Sequence, residues 1–213
     1  MLMKLPVPYA SQHAEIKDKD WQSRACGIAC VKMVIDYFAS APQRHIFATP
    51  ASMEDLLAEG VFILEDGLAK NIHGWVHDYL VALLHNHGVP AYKEEFRTVH
   101  FDAATKSFAP SHYASSFLDA GVQNIVDHLD HDNPVIVSGI KDWKQEGKYH
   151  LFVVVGYEKA EEGNEQGVAA GALTGFYYHD PDAHTPKHSP RENLFISLED
   201  FKSKWRKMAI FPY

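Results

Sequence analysis

The order of hydrophobic and polar positions divides the chain into a helical first part and a strand-rich last part. The clearest helical pattern runs from about Cys26 to Phe38, where Ile28, Val31 and Ile35 recur on one face. Such a helix is expected to be buried on most sides. Shorter helical patterns follow in the segments TPASMEDLLAEG, HGWVHDYLVALLHNHG and DAGVQNIVDHLDHDN.

Two of these shorter helices carry their own boundary signals. Ser52 and Asp55 form a capping pair at the start of the first, and Gly60 is predicted to end it. Gly88 is predicted to close the second. The segment from 91 to 116 has no clear period, so we expect a loop that crosses the surface.

The last third of the chain is dominated by runs of β-branched and aromatic residues, which are typical of strands. The predicted strands are PVIVSGI, YHLFVVVGY, GFYYHDP and KMAIFPY, and a capped helix, SLEDFKSKW, precedes the last of them. A polar, glycine-rich segment from 158 to 172 is predicted to be a long hairpin connection. Helices first and strands later indicate one α+β domain over residues 1–213 with a mostly antiparallel sheet.

Composition and charge narrow the class of protein. The formal net charge is −8, so a general attraction to nucleic acid is not expected, and the basic stretch KSKWRK is interpreted as a solvated helix end. We find no apolar run of membrane-spanning length and no secretory signal in MLMKLPVPYASQ. Two cysteines four residues apart on a helix favour reduced thiols, and hence a cytoplasmic protein.

The first of these cysteines has the position that a reactive thiol requires. Cysteine attacks as a thiolate, and the free N–H groups at a helix start favour negative charge. Cys26 has that position, its own N–H could bind an oxyanion, and Gly27 would let a substrate backbone approach. The alternative interpretation is that Cys26 is a small buried hydrophobe. Cys30, one turn further into the helix, is predicted to belong to the core.

A basic partner for this thiol is suggested by the strand pattern. The chain contains 14 histidines, but His150 is distinctive because it opens an otherwise apolar strand. Asp180 ends the next predicted strand. If these strands are antiparallel neighbours, the start of one lies beside the end of the other. His150 and Asp180 would then be adjacent, and the carboxylate could hold the imidazole in one tautomer.

Four blocks, in the order VPYASQ, ACGIACVKMVIDYF, YHLFVVVGY and HDPD, carry a resemblance to a known family. The chain resembles the papain-like cysteine peptidases of the bacteriocin-processing (double-glycine) family and their free-standing relatives. The resemblance implies a papain-like fold, with an N-terminal nucleophile helix packed on the sheet. It also implies that Cys26 is the nucleophile, His150 the base and Asp180 the residue that orients the base.

The same resemblance implies a glutamine as the second oxyanion donor. In the transporter-linked members this glutamine stands six residues before the cysteine, where this chain has Asp20. Gln12, in the VPYASQ block, and Gln22 are therefore the two candidates. Gln12 is preferred, because free-standing relatives commonly carry the glutamine there.

Other residues near the predicted site have less specific interpretations. Trp21 and Tyr149 could line a substrate groove or could simply pack. Asp182 competes with Asp180 for the orienting role. The pair His73 and His77 in HGWVH and the cluster HDPDAHTPKH could suggest metal ligands, but no metal and no cofactor is predicted.

Three functions are consistent with these residues. The preferred one is a thiol hydrolase that cleaves a peptide or isopeptide bond in a peptide or protein substrate through an acyl-enzyme. The second is an acyl- or peptidyl-transferase that uses the same thioester. The third is a non-catalytic peptide-binding domain, which the presence of all three triad residue types disfavours. Nucleic acid and membranes are not expected as partners.

Overall fold

Helices between residues 19 and 86 precede most of the main sheet, as the hydrophobic pattern predicts, but two strands of that sheet, at residues 2–4 and 91–95, lie outside the predicted strand region. The computed structural model describes residues 1–40, 47–65, 75–97, 99–110, 114–161, 169–182 and 191–213. The helices within these residues are α1 (Lys19–Gln22), α2 (Cys26–Ser40), α3 (Met53–Glu65), α4 (His77–Asn86), α5 (Ala114–Asp130) and α6 (Leu198–Lys204). The strands are β1 (Leu2–Lys4), β2 (Ala91–Glu95), β3 (Val99–Asp102), β4 (Ser107–Pro110), β5 (Val135–Lys141), β6 (Gln145–Lys159), β7 (Leu173–His179), β8 (Leu194–Ser197) and β9 (Trp205–Pro212).

A seven-stranded sheet organises the fold. Its order is β2-β9-β5-β6-β7-β8, and β1 pairs with the far end of β6. All pairs between the described strands are antiparallel, and β3 and β4 form a separate two-stranded sheet. The predicted α+β class, with helices packed on a mostly antiparallel sheet, is confirmed.

Helix α2 is the buried centre of the helical part. Ten of its fifteen residues are buried, and Cys30 is fully so, as predicted. The helix packs against β6, α3 and α4. Because it is apolar nearly all round, burial against neighbours on several sides is its stable arrangement.

Several details of the sequence interpretation were wrong. The stretch KSKWRK is a helix end only in part, because α6 ends at Lys204 and β9 begins at Trp205, which is buried. Helix α3 continues past Gly60 to Glu65 rather than ending at the glycine. A Cβ at Gly60 would lie 2.8 Å from the Trp75 ring, so close packing explains this glycine better than helix termination. Strands β2, β3 and β4 occupy much of the segment from 91 to 116 that was predicted to be a loop. Strand β6 begins at Gln145, so His150 lies inside the strand and does not open it.

The relative lengths of β6 and β7 create a space at one edge of the sheet. Strand β7 ends at His179, which is paired with Val153 of β6. Toward its beginning β6 continues, paired with β5, as far as Gln145. Among the described residues, no strand therefore pairs with β6 near His150 on the β7 side, and the chain that follows β7 turns there. Among the described residues, no helix combines the length and the apolar character needed to cross a membrane.

Candidate active site

The three residues predicted to act together come from three distant parts of the chain and meet at this edge. Cys26 is the first residue of α2, His150 lies on β6, and Asp180 is the first residue after β7. The predicted antiparallel pairing of the two strands is present, and it brings the histidine and the aspartate into contact.

A chain of hydrogen bonds joins the three side chains. His150 Nε2–H donates to Asp180 Oδ1 at 2.8 Å, and both side chains are buried. The other ring nitrogen, Nδ1, is left to face Cys26, whose thiol shares a hydrogen bond with the imidazole. The backbone at Gly27 and Leu151 also hydrogen-bonds to the thiol. The tautomer of His150 is therefore set by the carboxylate.

The electrostatics of the site favour a thiolate and an imidazolium. Burial raises the pKa of Cys26, but the charge and hydrogen bond of His150 outweigh burial and hold that pKa below its ordinary value. Burial likewise lowers the pKa of His150, but Cys26 and Asp180 outweigh it and raise the pKa to about 10. In contrast, burial raises the pKa of Cys30 well above its ordinary value. Of the two thiols, only Cys26 has an environment that ionises it.

Asp180 is held by groups that the sequence did not identify. Arg191 Nη2 lies 2.6 Å from Asp180 Oδ2 and 2.7 Å from Asp142 Oδ1. The Asp180 N–H donates to the carbonyl of Arg191 at 2.8 Å, and Tyr9 Oη–H donates to the carbonyl of Asp180 at 2.9 Å. Asp180 is fully buried, so the guanidinium supplies the cation that an ionised carboxylate needs there. No local sequence pattern marks Arg191, because its partners lie far from it along the chain.

Gln12 contacts the loop that follows β7, and Gln22 contacts Gln12. Gln12 is buried; its N–H donates to the carbonyl of Pro181 at 3.0 Å. Its Nε2 donates to the carbonyl of Gln22 at 2.7 Å and makes only a long contact, 3.4 Å, to Asp182 Oδ1. Gln22 Nε2 donates to the carbonyls of Ile16 at 2.6 Å and His13 at 3.2 Å. The amide of Gln22 thus braces its own loop, whereas one hydrogen of the Gln12 amide is only loosely engaged.

Asp182 has partners of its own rather than His150. Its Oδ1 lies 2.6 Å from His13 Nε2, and its Oδ2 lies 2.7 Å from Lys141 Nζ. Its N–H donates to Asp180 Oδ1 at 3.0 Å, which closes a tight turn behind the histidine. The side chain that contacts His150 is therefore that of Asp180, not that of its competitor.

The three predicted groove residues differ in their surroundings. A Cβ at Gly27 would lie 2.9 Å from the Trp75 ring, so the indole uses the room that was predicted for a substrate backbone. Trp21 is half-buried beside Trp75 and lies under the guanidinium of Arg24. Tyr149 is 58% exposed. Of the three, Tyr149 offers the most surface to a substrate.

The histidines outside this site do not form a metal centre in the described part of the chain. His179 is buried, with Nε2 3.0 Å from the carbonyl of Val7 and Nδ1 accepting from Asn193 N–H at 3.0 Å. Burial, aided by Arg206 and Lys93, lowers the pKa of His77 to about 4. His73, His184 and His188 lie outside the described residues.

The chain belongs to the Peptidase_C39 like family, whose family model matches residues 4–210. The chain is therefore a member of a family of cysteine peptidases, as its four sequence blocks suggest. No curated protein sequence matches it significantly.

Two solved structures resemble the fold. One is described as a C39-like peptidase from Bacillus anthracis, with 14% identity, a TM-score of 0.59, and coverage of 100% of this chain and 98% of that chain. The other is a double glycine motif protease from an AMS/PCAT transporter in complex with the leader peptide, with 13% identity, a TM-score of 0.46, and coverage of 100% and 98%. At these identities the first likeness concerns the fold alone.

The ionisation of Cys26 predicts a distinctive alkylation profile. Iodoacetamide should alkylate Cys26 well below the pH of about 8.5 at which a free thiol ionises. His150→Gln removes the imidazolium but leaves the burial, so the apparent pKa should rise above that value. The rate at pH 7 should then fall at least about tenfold. Cys30→Ala is the matched control and should keep the wild-type profile; equal profiles for wild type and His150→Gln would contradict the ion pair.

The contacts of Arg191 predict a change in the pH at which Cys26 loses its reactivity toward iodoacetamide on acidification. In Arg191→Met the fully buried Asp180 loses its neighbouring cation, so its hydrogen bond should support the His150 imidazolium less well. The pKa of Cys26 should then be lowered less, and the loss of Cys26 reactivity on acidification should move up by about one pH unit. Arg191→Lys keeps a charge and should restore most of the profile. Asp142→Asn, which leaves the contact with Asp180 in place, is the control, and a shift as large in that variant would refute the role of Arg191.

Proposed function

We propose that the chain is a papain-like thiol hydrolase that cleaves peptide or isopeptide bonds with Cys26, His150 and Asp180 as its triad. The observation that carries the proposal is the unbroken series of hydrogen bonds from the Cys26 thiol to the His150 imidazole and on to the buried Asp180 carboxylate. The pKa of Cys26 is lowered and that of His150 is raised, and both shifts favour the ion pair. A pair of this kind supplies a nucleophile and a general acid at neutral pH.

The reaction follows from the positions of the protons. The Cys26 thiolate attacks the carbonyl carbon, and a C–S bond forms as the carbonyl oxygen takes the negative charge. His150 donates its Nδ1 proton to the leaving amine, the C–N bond breaks, and a thioester remains on Cys26. His150, now neutral, takes a proton from water, which attacks the thioester and releases the acid. Asp180 keeps its hydrogen bond to Nε2–H throughout and stabilises the imidazolium.

Two donors are proposed for the oxyanion. As the first residue of α2, Cys26 has an N–H without an acceptor inside the helix. Gln12 is the second, because one of its amide hydrogens has only the long contact to Asp182 and is available to a stronger acceptor. The carboxylate of Asp182 also limits the rotation of this amide.

The alternatives use the same site in different ways. An acyl- or peptidyl-transferase would form the same thioester and pass it to an amine or thiol. A non-catalytic peptide-binding domain would have no need of an ionised thiol, so the environment of Cys26 argues against it. The substrate class, a peptide or protein, follows from membership in a peptidase family. Both cysteines are free thiols, which fits a reducing, cytoplasmic compartment.

The proposal predicts hydrolysis that depends on Cys26. A library of N-acetylated, C-amidated octapeptides, incubated with the protein and analysed by mass spectrometry, should yield cleaved products with wild type and none with Cys26→Ala. Addition of glycinamide separates the first two functions, because a transferase would yield mainly the aminolysis product. No cleavage and no transfer, together with a Cys26 that alkylates no faster than free cysteine, would leave only the binding function.

The choice between the two glutamines predicts a clear kinetic difference. Gln12→Ala should lower kcat about 100- to 1000-fold, which is the usual effect of losing one oxyanion donor. Its rate of alkylation by iodoacetamide should be retained, because that displacement forms no oxyanion. Gln22→Ala is the matched variant and should lower kcat less than about tenfold, since its amide braces the loop. The reverse order would assign the oxyanion role to Gln22.

A further inference from the structure

A cavity of about 370 Å³ begins at Tyr149, the residue next to His150. Its walls include three aromatic side chains and four cations, and we call it the basic pocket: Phe96, Tyr149, Trp205, Arg97, Lys204, Arg206 and Lys207. None of the described residues that line it carries a carboxylate. The chain as a whole has a net charge of −8, so the pocket is a local reversal of charge.

Two of the four cations have no carboxylate partner among the residues that the structure describes. Arg97 Nε lies 3.0 Å from a carboxylate oxygen of Glu95, and Lys204 Nζ lies 2.5 Å from Asp200. Arg206 and Lys207 are half-buried, and no ion pair joins either of them to a carboxylate of the described residues. A partly buried cation binds an anionic ligand most strongly when no protein carboxylate is already paired with it.

Arg206 is held in a fixed orientation. Its guanidinium stacks on the Tyr149 ring at 3.8 Å from the ring centre, and Nη1 donates to Ser138 Oγ at 3.4 Å. A stacked guanidinium keeps other N–H donors free for bidentate contact with a carboxylate. The aromatic surface and the fixed cation together favour a planar anionic group over a neutral one.

The strand order relates the pocket to the reaction. Asp180 follows β7 on one side of β6, whereas Ile140 of β5 and Trp205 of β9 line the pocket on the other side. His150 lies between them on β6 and, in the proposed reaction, protonates the leaving amine. Because Tyr149, on the pocket wall, directly precedes His150 on β6, the pocket is one residue along the strand from the group that would protonate the leaving amine, within reach of the segment that is released.

We propose that the basic pocket binds a carboxylate in the leaving segment of the substrate, and that this contact selects peptides with an acidic residue or a free C-terminus just after the cleaved bond. The proposal rests on the proposed function, since it uses the direction of the leaving group. An acidic side chain and a C-terminal carboxylate present the same chemistry, so the experiment must separate these two sources.

Peptide electrophiles test the pocket without knowledge of the natural substrate. The probes are iodoacetyl peptides in which zero, one or two alanines precede a glutamate or a glutamine, each with an amidated C-terminus. A further set ends in glutamine with a free carboxylate. Cys26 attacks the iodoacetyl carbon and displaces iodide, and the attached peptide extends toward the leaving-group side. Alkylation rates are measured on the full chain by mass spectrometry.

We expect at least one spacing at which glutamate accelerates alkylation about tenfold over glutamine, as a charge-assisted hydrogen bond would do. A faster reaction of the free-carboxylate set alone would identify the C-terminus as the source. Added salt should reduce the ratio. In Arg206→Gln the ratio of the two rates should fall to about one, and Arg206→Lys should restore part of it. Lys202→Gln, on the same helix as Lys204 but outside the pocket, should keep the wild-type ratio.

The outcomes separate this proposal from the proposed function. The rate ratio of carboxylate-bearing to neutral probes could stay near one for every spacing and for the free-carboxylate set, while Cys26 still reacts rapidly with iodoacetamide. That result would refute carboxylate binding by the pocket without contradicting the proposed triad. A large ratio that survives in both Arg206→Gln and Lys207→Gln also overturns it. Slow alkylation by every reagent, including neutral iodoacetamide, would instead count against the triad.

Discussion

The hydrogen bond between His150 and Asp180 is the interaction on which the site depends. Burial acts against both charges of the nucleophilic pair, because it raises the pKa of Cys26 and lowers that of His150. Each charge exists because the other is present, and the carboxylate fixes which nitrogen faces the sulfur. Asp180 itself is fully buried, and the guanidinium of Arg191, 2.6 Å from its Oδ2, is the cation beside it. Negative and positive groups therefore alternate from the Cys26 thiolate through His150 and Asp180 to Arg191.

The same short loop also connects the proposed triad to the proposed oxyanion donor, Gln12. Within three residues it contains Asp180, the carbonyl of Pro181 that accepts from the Gln12 N–H, and Asp182, which contacts the Gln12 amide. The Asp182 N–H closes the turn by donating to the oxygen that holds His150. A change in this loop would therefore move the base and the proposed oxyanion donor together. That coupling gives Asp182 a positioning role even though it does not contact the histidine.

The sequence was sufficient to predict those parts of the fold and the site that follow from a hydrophobic period or from strand pairing. The buried helix α2 and the strands β5 to β7 follow from runs of apolar residues, and the meeting of His150 and Asp180 follows from antiparallel pairing. It was insufficient where tertiary packing decides. Gly60 is a helix terminator by propensity, but the Trp75 ring against it makes it an interior contact. Arg191 could not be found, because an ion pair between positions far apart in the chain leaves no local pattern.

Trp75 shows how packing and chemistry meet at the start of α2. Its ring fills the room beside Gly27, and its Nε1–H donates to the carbonyl of Arg24 at 2.7 Å, two residues before the thiol. One indole therefore fixes both the first turn of the helix and the chain that enters it. The side chain of His150 and the backbone of Leu151 hydrogen-bond to the sulfur. Packing of the helix start and hydrogen bonds to the sulfur thus both position the thiol, which is the preorganisation that the proposed attack requires.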